Sequence, residues 1–252
     1  LSLGTPSAGF TVNDNTFDSE NNYQAISVNG AGLSGTDAFE IDGNSINDAD
    51  GADAIALGTL GDNQIELSVQ NNEITNQSNN NAISLDPDTA DTVTIADNTL
   101  TGENDGGGTG ISVAAGDGTV LTIENNQITD FDNEGGAGTA LVVNPADVTI
   151  SGNTLADNAI HFDDASDNYN EQTVIDDNTV SPVVLALDER GGDIQDNLVY
   201  GTIEGGVNGV EANAGSDRFL EVGAGTYDEN SIAVDGLGGN AITIDGSNGA
   251  TL

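Results

Sequence analysis

The chain has 252 residues, no cysteine, 36% hydrophobic and only 4% aromatic residues, and a formal net charge of -41. That balance excludes disulfide staples and thiol chemistry, and its repulsive field excludes nucleic acid and anionic membranes as partners. No apolar run approaches the ~20 residues of a membrane-spanning helix, so no membrane insertion is expected.

From Phe10 onward a short frame, apolar-x-apolar-x-x-Asn-x-apolar, returns at near-regular intervals. It reads FTVNDNTF around Asn15, FEIDGNSI around Asn44, LSVQNNEI around Asn72 and VTIADNTL around Asn98. It continues as LTIENNQI around Asn126, VTISGNTL around Asn153 and TVIDDNTV around Asn178, with a weaker copy, DIQDNLV, around Asn197. The successive separations are 29, 28, 26, 28, 27, 25 and 19 residues. Self-similarity at such a period predicts a solenoid, in which stacked repeats share one continuous core. Apolar and polar residues alternate inside the frame, as at Val93 and Ile95, which is the pattern of short half-buried strands. A helical solenoid would need apolar residues at i, i+3 and i+4, and the frame has none.

A second apolar segment follows in most repeats. It is AISV at Ala25 to Val28, AIAL at Ala54 to Leu57, AISL at Ala82 to Leu85, GISV at Gly110 to Val113 and ALVV at Ala140 to Val143. Each coil is therefore expected to hold a strand, an Asn corner, a second strand, a variable polar loop and a third strand. The corner Asn is expected to take the left-handed backbone conformation that a sharp corner requires. Stacked Asn side chains would also hydrogen-bond along the axis, satisfying amides that water cannot reach.

With these residues in view, the chain resembles the right-handed parallel β-helix family of pectate-lyase-like proteins, whose degenerate repeat is GI-x-V…I-x-x-N-x-I. The resemblance covers Phe10 to Val199. It implies an all-β, single-stranded parallel β-helix of about nine to ten coils with an Asn ladder, occupying residues 1–252 as one solenoid. In that family the AISV-type segment supplies the first strand of a coil, and the Asn frame supplies the second strand, the turn and the third. At about 4.8 Å per coil the rod would be roughly 45 Å long. A β-sandwich or propeller would instead need hairpin turns and antiparallel pairs.

The two ends carry a further expectation. Phe219 to Gly236, FLEVGAGTYDENSIAVDG, resembles the stretch that forms the first coil of many β-helix proteins, yet it stands near the C-terminus. NAITIDGSNGATL follows it, and the N-terminus opens LSLGTPSAGFTVNDNTF without initiator Met, signal peptide or capping helix. Joined end to start, the two termini read as one more coil. Residues 219–252 are thus expected to continue into the next repeat or subunit, because an uncovered solenoid end exposes strand edges. The partners implied are other copies, end to end or as covalent tandem repeats. An excised segment with irregular caps is the plainer alternative.

Arg190, Arg218 and His161 are the only basic side chains against 43 acidic ones. Two environments would screen that charge. Molar monovalent salt shortens the Debye length to about 3 Å, and Ca²⁺ could bridge carboxylates through its flexible oxygen coordination. Candidate Ca²⁺ clusters are Asp86 with Asp88 and Asp91, Asp163 with Asp164 and Asp167, and Asp176 with Asp177. None matches an EF-hand loop or a Gly-Gly-x-Gly-x-Asp repeat, which favours a solvated acidic face.

Many members of the family that the chain resembles cut acidic polysaccharides. Their lyases need an Arg or Lys base, usually with Ca²⁺, and their hydrolases use three Asp with Gly-His-Gly and Arg-x-Lys motifs. Neither motif occurs here, and the field of this chain would repel a polyanionic substrate. The best local constellation is His161, Asp163, Asp164 and Arg190. Alternation in AIHFDD puts Ile160 and Phe162 on one face and His161 with Asp163 on the other, the outward one. A surface histidine among solvated acids is the plainer reading. Gly106, Gly107 and Gly108 precede a strand, not a helix, so they are no phosphate loop.

Glycan binding would require a groove with stacked aromatics, and only the scattered Tyr23, Tyr169, Tyr200 and Tyr227 are on hand with six Phe. Ice binding would need a ladder of Thr-x-Thr, and the pair Thr92 and Thr94 does not recur. The expectation is therefore a non-enzymatic structural solenoid, extracellular or at the cell surface, with no required cofactor. A glycan or cell-surface partner and a carbohydrate-active or carbohydrate-binding β-helix remain the alternatives.

Overall fold

Strict alternation of apolar and polar residues, rich in Val, Ile and Thr, favours strands in which one side chain in two is buried. In the computed structural model every described element is a β-strand. The structure describes residues 1–3, 9–18, 23–28, 38–47, 52–58, 65–77, 80–87, 92–103, 108–114, 119–131, 139–144 and 147–156. Beyond these it describes 160–162, 173–176, 179–187, 193–195, 198–205, 221–222, 226–228, 231–233 and 243–244, with side chains as far as Phe131 and from Thr149 to Leu155.

Strands come in threes. The first triplet is β1 (Ser2–Leu3), β2 (Phe10–Asn13) and β3 (Thr16–Asp18), and the next is β4 (Ile26–Val28), β5 (Ala38–Asp42) and β6 (Ser45–Asn47). Then come β7 (Ile55–Leu57), β8 (Glu66–Gln70) and β9 (Glu73–Gln77), followed by β10 (Ile83–Leu85), β11 (Thr92–Ala96) and β12 (Thr99–Gly102). Two more triplets are β13 (Thr109–Ala114), β14 (Val120–Glu124) and β15 (Gln127–Thr129), then β16 (Thr139–Asn144), β17 (Asp147–Ser151) and β18 (Thr154–Ala156). The stack goes on through β19 (Ile160–Phe162), β20 (Thr173–Asp176), β21 (Thr179–Leu187), β22 (Asp193–Gln195) and β23 (Leu198–Gly205). The last four strands are β24 (Glu221–Val222), β25 (Thr226–Asp228), β26 (Ser231–Ala233) and β27 (Thr243–Ile244).

Each strand pairs in parallel with its counterpart in the next triplet. Middle strands form one sheet in the order β2-β5-β8-β11-β14-β17-β20-β22-β25, while β24 and β27 pair separately. First strands stack from β1 through β19 and third strands from β3 through β18, and the two stacks meet at β21. The chain is thus an all-β parallel solenoid, as expected, and the AISV-type segments are its first strands.

The shortest Asn separation has its cause at that junction. Thr179 to Ser181 of β21 pair with the third strand β18, and Leu185 to Leu187 pair with the first strand β19. One continuous strand does the work of two, and the loop between them is gone. The register of β21 on β23 shifts between Val180 and Val183, where Ser181 and Pro182 face the single step at Tyr200. A bulge is where a strand accepts proline, which cannot donate to the ladder.

The core lies inside the coil, in columns of like residues. Ile26, Ile55, Ile83 and Ile111 stand in register on the first strands, with Val28, Leu57, Leu85 and Val113 beside them. The middle strands contribute Val12, Ile41, Val69, Ile95, Ile123 and Ile150, and the third strands Ile46, Ile74, Leu100, Ile128 and Leu155, all buried. Each such side chain stabilises the stack by roughly 1.5–3 kcal/mol of apolar burial. Large rings are few: Phe39 is buried and packs at 4.8 Å, tilted, on Phe10, which is half-buried.

Candidate functional site

The element that repeats with the greatest regularity is polar and buried. Asn44, Asn72, Asn98, Asn126 and Asn153 are each 1% exposed, inside an otherwise apolar coil. An unpaired buried amide would cost roughly 1–3 kcal/mol, so each must find partners. They find them in one another. The Nδ2 of Asn72 donates to Oδ1 of Asn98 at 3.0 Å, and that of Asn98 donates to Oδ1 of Asn126 at 2.9 Å. The backbone N–H of the same residue donates to the same oxygen, at 3.0 Å for both Asn72 and Asn98. Nδ2 also reaches back to a carbonyl of the preceding coil, Ile41 for Asn72 at 3.0 Å and Val69 for Asn98 at 2.9 Å. The pattern runs unbroken from Asn15 to Asn153 and always in one direction, each Oδ1 accepting from the coil before it.

The left-handed corner lies elsewhere than expected. Positive φ belongs to the residue before each ladder Asn: Asp14 (55°), Gly43 (65°), Asn71 (53°), Asp97 (55°), Asn125 (55°) and Gly152 (63°). The ladder Asn itself is absent from this set. The division of labour has a physical basis. The left-handed residue turns the chain and its N–H reaches the next coil, as from Asp97 to the Glu124 carbonyl at 3.1 Å. That leaves the following side chain pointing inward, where only a carboxamide supplies both an acceptor and two donors. The signal was in the sequence, because all six positions hold Asp, Asn or Gly, the residues that visit this region at least cost.

A shorter polar column stands at the entry to the first strands. The half-buried Asp53 carboxylate accepts the Asn81 backbone N–H at 2.9 Å. Burial pushes its proton affinity above the ordinary carboxylate range, against the opposing hydrogen bonds from the Asn81 backbone and the Ser84 and Asn81 side chains. Gln77 is also buried. Its Nε2 donates to the Ala52 carbonyl at 2.7 Å, while Oε1 has no hydrogen-bond partner. Gly102 is in register with Gln77 and has no room for a side chain, since a Cβ there would lie 2.3 Å from the Asp130 carbonyl oxygen. None of these positions is marked by the repeating frame.

The outward positions carry hydroxyls, amides and acids. Thr94, Thr122 and Thr149 follow one another on the middle strands, but Thr92 registers with Glu66 and Val120, so Thr-x-Thr does not recur. Asp86 is exposed at the end of β10, and its N–H donates to the Leu57 carbonyl at 3.0 Å. Its suggested companions Asp88 and Asp91 lie outside the described residues, as do Asp163, Asp164, Asp167 and Asp177. Asp176 is described as the last residue of β20 by its backbone, in register with Ser151 and Gln195. Among the described residues no group of three or more His, Asp or Glu is placed to hold a metal ion.

His161 is the middle residue of β19, in register with Val142 and Ala186. That column continues from Ser84 and Ser112. Arg190 and Arg218 lie outside the described residues, so the constellation of His161 with Asp163, Asp164 and Arg190 is described only at its histidine. No helix of the described residues is long and apolar enough to cross a membrane.

A family model described as the right-handed beta helix region matches residues 81–252. The chain belongs to the right-handed β-helix family. Among curated proteins and among solved structures, none matches it. In this β-helix the matched region begins at Asn81, just ahead of β10, although the ladder is already formed three frames earlier at Asn15. The first frames differ from the later ones in ring content rather than in geometry: Phe10 and Phe39 stand in register with Leu67 and Val93, and Phe17 with Ile46, Ile74 and Leu100. Chemically, the described part of the β-helix offers an axial chain of amide hydrogen bonds and an outer surface of hydroxyls and carboxylates.

Proposed function

We propose that this β-helix is a non-enzymatic structural protein of the extracellular space, either a repeat unit of a surface fibre or adhesin or a subunit that stacks head to tail into a filament. The observation that carries the reading is the one-directional Asn ladder, unbroken from Asn15 to Asn153, which ties coil to coil through buried bonds and suits a stiff rod whose length scales with coil number. Right-handed β-helix domains are often extracellular. A net charge of -41 suits molar salt or bound Ca²⁺, either of which screens the acidic surface. Termini that complete one another would form a heterologous contact, which propagates instead of closing.

The catalytic question has a direct test. A panel of neutral and acidic glycans, with and without Ca²⁺, is expected to show no reducing-end release and no unsaturated product by ultraviolet absorbance. Turnover that Asp164→Asn or His161→Ala abolishes would overturn the reading and make the β-helix carbohydrate-active. Assembly is tested by removing residues 240–252, which is expected to abolish end-to-end association, and unchanged association would count against the stacking role of that segment.

A further inference from the structure

We draw no further inference here: the strongest candidate, the face at the first coil where exposed Asn15 begins the ladder and Leu3, Phe10 and Phe17 are only partly buried, carries nothing because nothing in the structure shows what covers it.

Discussion

At the corner, two adjacent residues divide the work that the repeating frame alone assigns to one. The ladder Asn is a hydrogen-bonding device and its predecessor is the conformational one, so the two should respond differently to substitution. Asn98→Ala takes the acceptor from the buried Asn72 backbone N–H, and the Asn98 donor from Asn126 Oδ1, in a dry interior and should cost roughly 2–4 kcal/mol in urea unfolding. Asn15→Ala, at an exposed rung, should cost only about 0.5–1.5 kcal/mol, the net value of an ordinary hydrogen bond. Equal losses would mean that burial of the rung does not set its worth. One residue earlier the rule reverses: Asp97→Gly should be nearly neutral, whereas Asp97→Val forces a β-branched residue into the left-handed region and should cost about 1–2 kcal/mol. Asp53 adds a pH dependence. Its folded-state proton affinity is raised, so the ionised form is the costly one, and the cost falls away as pH drops through the folded pKa toward the unfolded value. Asp53→Asn should therefore raise the urea midpoint at neutral pH by more than Glu66→Gln, which removes the same charge from an exposed site. That advantage should shrink on acidification, and a constant advantage would place its origin in something other than Asp53 ionisation.

Strands were legible because their signal is periodic and local. Val93 and Ile95, or Ile83 and Leu85, announce an inward face by alternation alone, and copies in register average out the noise of any one segment. Three features were not legible, each for the same reason. The fusion of third and first strand in β21, the closeness of Gly102 to the Asp130 carbonyl and the half-buried Asp53 all depend on what lies in the next coil. The spacing of 19 residues between Asn178 and Asn197 hinted at the first of these, but loop loss and strand merger look alike in a sequence. Of the candidate site residues, the hydrogen-bonding ladder from Asn15 to Asn153 could be read, since its residues are periodic and all but Asn15 are buried, whereas Asn178 and Asn197 lie outside the described residues. His161 and the acidic clusters carry no periodic signal. The period also predicts how the stack fails. Deleting Thr94 would turn every later side chain of β11 to the opposite face and break its register with β8 and β14, so the variant should not reach the native state. Inserting two glycines between Glu103 and Gly108 lengthens a connection only, and loop closure would cost less than about 1 kcal/mol. Circular dichroism with urea titration separates the two, and a folded Thr94 deletion would refute the register argument.

Among the described residues, the parallel strands stack along one axis that the amide ladder and the core columns follow, and every described interaction of length joins a coil to its neighbour. Such a molecule resists bending and extension along that axis, which supports the proposed use as a rod. The acidic surface opposes close approach of other molecules in dilute buffer, since 43 carboxylates face two Arg and one His. At molar salt the range of that repulsion shrinks to about 3 Å, and apolar and hydrogen-bonded end contacts can form. Electron microscopy of the chain in molar salt tests this most directly. Continuous rods, with an axial spacing near 4.8 Å between coils and lengths beyond a single chain, are the expected result. Discrete short particles that never join, together with glycan turnover dependent on His161, would contradict it.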